Sequence, residues 1–115
     1  MCAPLGGICF LETKDKQKIK IHEWVGGPPI WEEQGFAFAI PIWTKDSLKG
    51  TVQKIGIVDT RIKDLKIYSR IFNVLDFISF EKNIITGINS PFYMPTSIEF
   101  DIDKEEIELI LQLVK

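Results

Sequence analysis

The stretch Asp103-Lys104-Glu105-Glu106-Ile107-Glu108-Leu109-Ile110-Leu111-Gln112-Leu113-Val114 decides the fold class, because two periodicities compete in it. Read as a helix, it has Asp103 as N-cap and Glu106 three residues later in capping-box spacing. Ile107, Ile110, Leu111 and Val114 then follow the i, i+3, i+4, i+7 rule on one face. Read as a hairpin strand, it alternates through Ile107, Leu109, Leu111 and Leu113, but Ile110 and Val114 fall on the polar face. The cap and the apolar stripe favour a short helix at the C-terminal end.

Upstream, period two dominates. In Lys18-Ile19-Lys20-Ile21-His22-Glu23-Trp24-Val25, Ile19, Ile21 and Val25 face one way and Lys18, Lys20, His22 and Trp24 the other, the pattern of a half-buried strand. Gly26-Gly27-Pro28-Pro29 breaks the chain into a loop, since glycine permits positive φ and proline removes a donor. Residues 36–43, Phe-Ala-Phe-Ala-Ile-Pro-Ile-Trp, are apolar on both faces, and Pro41 assigns them to a sheet edge or a bulge. Thr51–Asp59 alternates with Ile55 and Ile57 on one side and Lys54, Gly56 and Val58 on the other. Residues 61–80 fit helical and strand spacing alike, and their β-branched and aromatic residues tip the reading toward strands. Residues 84–88 and 98–102 complete the set. The expectation is an α+β fold in one domain over residues 1–115: a twisted, mostly antiparallel sheet of about five to seven strands, with the C-terminal helix packed on one face.

Composition narrows the function classes. Hydrophobic residues at 45% and charged residues at 26% are those of a folded domain, not of a disordered chain. No apolar run is long enough to span a bilayer and no basic, apolar leader opens the sequence, so a cytoplasmic protein with no membrane contact is expected. Nineteen isoleucines, and twelve lysines against two arginines, read as A/T-rich codon usage and suggest a bacterial or phage source. The charges are sorted by position: residues 1–75 carry a formal +3 and residues 76–115 a formal −5. An overall −2 makes direct nucleic-acid binding an unfavoured reading. The alternating Lys14, Lys16, Lys18 and Lys20 are a blunted strand edge, or partners of Glu99 and Asp101 across a ladder.

Catalytic and metal chemistry finds little support. Cys2 behind a removable Met1 suggests an N-terminal nucleophile on two residues alone, and Cys9 with His22 would form a thiolate–imidazolium pair only if strand phase brought them together. One histidine and two cysteines without CxxC or HxxxH spacing build no zinc shell, and residues 99–108 lack the pattern of a calcium loop. No metal, no cofactor and no catalytic residue is therefore expected. What stands out is acid: Glu99, Asp101, Glu105, Glu106 and Glu108 are candidate contacts for a basic protein partner. Trp31, Glu32 and Glu33, beside the Gly/Pro loop, form a second candidate contact, tryptophan being enriched at binding hot spots. The resulting expectation is a non-catalytic protein-binding protein, an inhibitor or immunity protein that neutralises a basic toxin such as a nuclease. The alternative is a small assembly protein, viral or cellular, that forms a homodimer through residues 36–43. A cysteine-dependent hydrolase stands third.

Overall fold

The computed structural model describes residues 7–12, 18–90 and 94–113, with side chains from Val25 onward, and the described residues form strands and no helix. Ten strands are formed among the described residues: β1 (Gly7–Glu12), β2 (Lys18–Val25), β3 (Ile30–Trp31), β4 (Ala37–Asp46), β5 (Gly50–Asp59), β6 (Asp64–Phe72), β7 (Leu75–Glu81), β8 (Ile84–Asn89), β9 (Thr96–Asp101) and β10 (Ile107–Gln112). They make two antiparallel sheets. The larger has the order β1-β2-β4-β5-β6-β10, with the short β3 also pairing β4, and the smaller is β7-β8-β9.

The α+β expectation is thus corrected: the segment expected to be the C-terminal helix is strand β10, running antiparallel to β6 with Leu111 opposite Leu65 and Gln112 opposite Asp64. The physical reasons are local. Asp103 does not cap a helix; the turn is built on Asp101 instead, whose Oδ1 accepts the Asp103 N–H at 3.0 Å and whose carbonyl accepts the N–H groups of Lys104 and Glu105. Glu106 is not used in a capping box; its carboxylate accepts the Ser69 hydroxyl at 2.9 Å and its carbonyl the Ser69 N–H at 2.9 Å. Without β10, the outer side of β6 would keep a row of unpaired backbone groups. A helical stripe would bury Ile107, Ile110 and Leu111, yet all three are exposed, and Leu113 is the residue that enters the core.

The strand readings of residues 61–80 and 51–59 hold, as β6, β7 and β5. The edge position expected for residues 36–43 does not. β4 pairs β5 along its whole length, and on its other side it meets β2 at Val25–Ile42 and β3 at Ile30–Ala39 and Trp31–Phe38. Pro41 is tolerated in this interior strand because its carbonyl accepts the Gly26 N–H at 2.8 Å. Its donor-less nitrogen therefore faces the break between β2 and β3.

Side-chain alternation sorts two cores. Ala39, Ile55, Ile57, Tyr68 and Phe72 of the large sheet pack against Leu75, Phe80, Ile85, Ile98 and Phe100 of the small one. The opposite face of the large sheet carries Phe38, Ile40, Ile42, Val58, Leu65 and Ile67 with Val25 and Leu113. Phe100, fully buried, stands edge-on to Tyr68 at 5.2 Å between ring centroids, and its burial contributes about 1.5–3 kcal/mol. The sheets are also joined by Gln53, whose Oε1 accepts the Leu75 N–H at 2.7 Å. β7 turns into β8 through Lys82 and Asn83, both at positive φ (53° and 65°), the conformation of a two-residue type I′ hairpin.

Candidate functional site

The acidic run of residues 99–108 is divided by the fold. Glu99 and Asp101 belong to β9, whose inward residues Ile98 and Phe100 are buried, so both carboxylates project from the outer face of the small sheet. Register adds companions. Across β7-β8-β9, Glu81 lies opposite Ile84 and Asp101, Ser79 opposite Thr86 and Glu99, and Asp76 opposite Ile88 and Ser97. Asp76, Glu81, Glu99 and Asp101 therefore share one face with the Ser79 and Thr86 hydroxyls, which lie 2.5 Å apart. Asp76, Glu81 and Glu99 are exposed. No ion pair to these four acids is formed among the described residues. Asp76 and Glu81 went unread in the sequence because even and odd positions point to opposite faces of a regular strand. The irregularity between Phe77 and Ser79 shifts the phase and brings both outward, leaving Ile78 exposed between them.

The other half of the run is engaged inside the molecule. Glu105 accepts from Arg70 Nη1 at 3.2 Å, Glu106 accepts the Ser69 hydroxyl, and Glu108 is clasped by Lys54 of β5. Asp103 accepts from the Asn83 side chain at 3.3 Å. Glu105, Glu106 and Glu108 thus tie β10 and its leading turn onto β5 and β6.

Trp31, Glu32 and Glu33 sit at the β3–β4 hairpin. Trp31 remains 45% exposed while its ring rests 4.7 Å from that of Phe38. Glu32 accepts the Phe36 N–H through its side chain at 3.2 Å, and Glu33 bridges to the small sheet. The Glu33 N–H donates to the Phe80 carbonyl and its Oε1 accepts the Lys82 N–H at 3.3 Å. Glu33 is thereby attached to the small sheet that carries Glu99 and Asp101 on β9, whereas the Trp31 ring lies with Phe38 on the opposite face of the large sheet.

The ladder expected between the Lys18–Lys20 and Glu99–Asp101 segments is not formed: β2 lies in the large sheet, with Lys18 opposite Glu12 and Lys20 opposite Phe10 in backbone register, and β9 lies in the small one. Lys14 and Lys16 fall outside the described residues, as does Cys2. The backbone register sets Cys9 opposite His22, with an irregularity on either side of Cys9.

A cleft of about 150 Å³ opens where the ends of the two sheets meet, lined among others by Asp59, Arg61, Asp64, Lys66 and Tyr68. It is smaller than the roughly 300–1,000 Å³ pockets that enclose organic ligands. Arg61 lies over the Phe36 ring at 4.6 Å and pairs with Asp59 at 3.6 Å. Asp64 is buried with one carboxylate oxygen unpartnered, and burial, aided by Asp103 and Asp64, pushes the Tyr68 hydroxyl above its ordinary pKa. Among the described residues no cluster of three or more histidine, cysteine, aspartate or glutamate side chains is arranged to hold a metal ion, and no helix is long and apolar enough to cross a membrane.

No protein-family model matches the chain, and neither the curated proteins nor the solved structures compared with it give a match.

Proposed function

We propose that this chain is a non-catalytic protein-binding protein of the inhibitor or immunity type, which engages a basic partner through the outer face of β7-β8-β9. The observation that carries the reading is the grouping of Asp76, Glu81, Glu99 and Asp101 on that face without a basic side chain paired to them among the described residues. Carboxylates held on a rigid sheet attract a Lys/Arg-rich surface, accelerate encounter and fix orientation. Exposed Ile78, with Glu33 bonded to β7, supplies contact area beside the charge, whereas the Trp31 ring rests against Phe38 on the far face of the large sheet and lies outside this surface. Glu105, Glu106 and Glu108, engaged with Arg70, Ser69 and Lys54, act in this reading as structural groups. A basic toxin, for instance a nuclease whose own cationic surface tracks phosphate, is the partner class that this charge suits. The cytoplasm is the compartment proposed for the encounter.

The test is to capture partners by cross-linking to the immobilised chain, then to purify the captured protein and measure its association rate. A net-basic partner is expected. Its rate should fall at least about tenfold between low and high salt, and by a similar factor on combined Asp76→Lys, Glu81→Lys and Glu99→Lys substitution. A rate indifferent to both salt and charge reversal rejects the reading.

A further inference from the structure

The cleft between the sheet ends holds an unsatisfied carboxylate. Asp64 is only 8% exposed, and its Oδ1 has no hydrogen-bond partner, a costly state for a buried acceptor. Alternation along β6 turns Asp64, Lys66 and Tyr68 to the side between the sheets, and all three line the cleft. The neighbours do not serve Asp64. Lys66, two positions along, makes no ion pair among the described residues. Gln112, opposite Asp64 on β10, gives its amide to the carbonyls of Ile62 and Lys63. Asp59, opposite Asp64 on β5, is by contrast well supplied: its Oδ1 accepts the Arg61 N–H at 2.9 Å and pairs with Arg61 Nε at 3.6 Å.

The cleft walls define the chemistry of the missing donor. Three carboxylates, on Glu32, Asp59 and Asp64, stand against two cations, Arg61 and Lys66, and the rings of Phe36, Phe80 and Tyr68 add aromatic surface. Arg61 shows what such walls accept: its guanidinium lies over the Phe36 ring at 4.6 Å while it pairs with Asp59. Asp64 lacks that counterpart. The volume of about 150 Å³ is too small to enclose a whole organic ligand, but a cavity of about this size admits a benzene ring, and a guanidinium is smaller.

We propose that the cleft receives an arginine side chain of the basic protein partner, whose guanidinium donates to Asp64 against the aromatic wall. This rests on the reading of the chain as a binder of a basic protein, and it names the residue type that anchors that partner. Arginine suits the site better than lysine. Its planar fork offers several N–H donors to one carboxylate, its charge is less strongly hydrated and so less costly to bury, and it packs on aromatic faces. The location fits as well. Asn83, in the turn that follows Glu81, and Ile102, next after Asp101, both line the cleft, so it opens beside the Glu81–Asp101 end of the acidic face. A partner steered by that face brings its cations to the cleft, and arginine seated in a desolvated pocket is a common binding hot spot.

Titration with Nα-acetyl-arginine methylamide, followed by NMR of the isotope-labelled chain, tests the cleft without any partner. Nα-acetyl-citrulline methylamide is the uncharged counterpart. The arginine probe should shift the amides of Asp64, Lys66 and Asn83 saturably, with a Kd of about millimolar for so few contact atoms, and the citrulline probe should bind at least about tenfold more weakly. Asp64→Asn should weaken the arginine probe at least about tenfold, the amide spectrum verifying its fold. Should that variant fail to fold, Lys66→Met decides: loss of a like charge from the cleft wall should tighten binding roughly threefold, and unchanged or weaker binding overturns the proposal. A response that does not saturate, equal binding of the two probes, or binding indifferent to Asp64→Asn also overturns it. These outcomes bear on the cleft alone, because Asp76, Glu81 and Glu99, whose reversal tests the acidic face, do not line it.

Discussion

β9 and β10 are both six-residue strands, separated by one short turn, and they solve opposite problems. β9 alternates strictly: Ile98 and Phe100 are buried while Ser97 and Glu99 are exposed. β10 is exposed at every position, although four of its six residues are large and apolar. Both stand at a sheet edge. In β9 one face packs against the large sheet, so its apolar residues are already spent on the fold. In β10 the backbone is tied by one ladder to β6 while the side chains stay largely in water. Strand formation and side-chain burial are separable, and a strand that has the first without the second offers surface to a neighbour.

The sharpest way to break this contrast is truncation at matched depth in the two strands. Phe100→Ala, which empties a fully buried site beside Tyr68 and Phe72, should cost about 3–5 kcal/mol. Ile110→Ala should cost less than about 1 kcal/mol when unfolding by denaturant is followed at dilute, monomeric concentration. Equal losses at the two sites would erase the distinction.

A smaller effect separates the two halves of the acidic run. A double-mutant cycle on Lys54→Met and Glu108→Gln should give a coupling of up to about 1 kcal/mol, since Lys54 is well shielded and Glu108 half exposed. Glu99→Gln should leave stability within about 0.5 kcal/mol of wild type. A destabilising Glu99→Gln, with no coupling at Lys54–Glu108, would reverse the roles assigned to the two groups.

The smallest expected effect is in acid, and it isolates a turn from both strands. The N–H groups of Leu48 and Lys49 donate to Asp46, and these two bonds hold its carboxyl below the usual aspartate value. A folded-state pKa depressed below the unfolded one gives stability that is complete above the unfolded value and is lost as the pH falls through the folded one. Asp46→Asn should therefore flatten the acid arm of the stability profile; an unchanged arm would show the turn to be uncoupled from folding.

The sequence was most legible where one face of a strand is buried: Ile98 and Phe100 against Glu99 are assigned to their faces by alternation alone. Alternation also separates Ile55 and Ile57 from Gly56 and Val58, although both faces of that strand are buried, one in each core. It misled where a local signal served another purpose. Asp103 and Glu106 have capping-box spacing, but Ser69 takes Glu106 and the turn forms on Asp101, both decided by long-range geometry absent from a local pattern. Pro41 marks an edge by local rule, and the gap opposite it made by Gly26-Gly27-Pro28-Pro29 removes the penalty. For the acidic surface, the sequence supplied Glu99 and Asp101, while the phase shift in β7 hid Asp76 and Glu81 and the tertiary pairs withdrew Glu105, Glu106 and Glu108.

Amide exchange by NMR along residues 106–113, at a concentration where the chain is monomeric, tests most directly that this segment is an open-edged strand on β6. The account predicts alternation: slow exchange at Leu111 and Leu113, whose N–H groups face β6, and fast exchange at Ile110 and Gln112, whose N–H groups face outward. Consecutive protection from Ile110 through Leu113, as an α-helix would give, would contradict it.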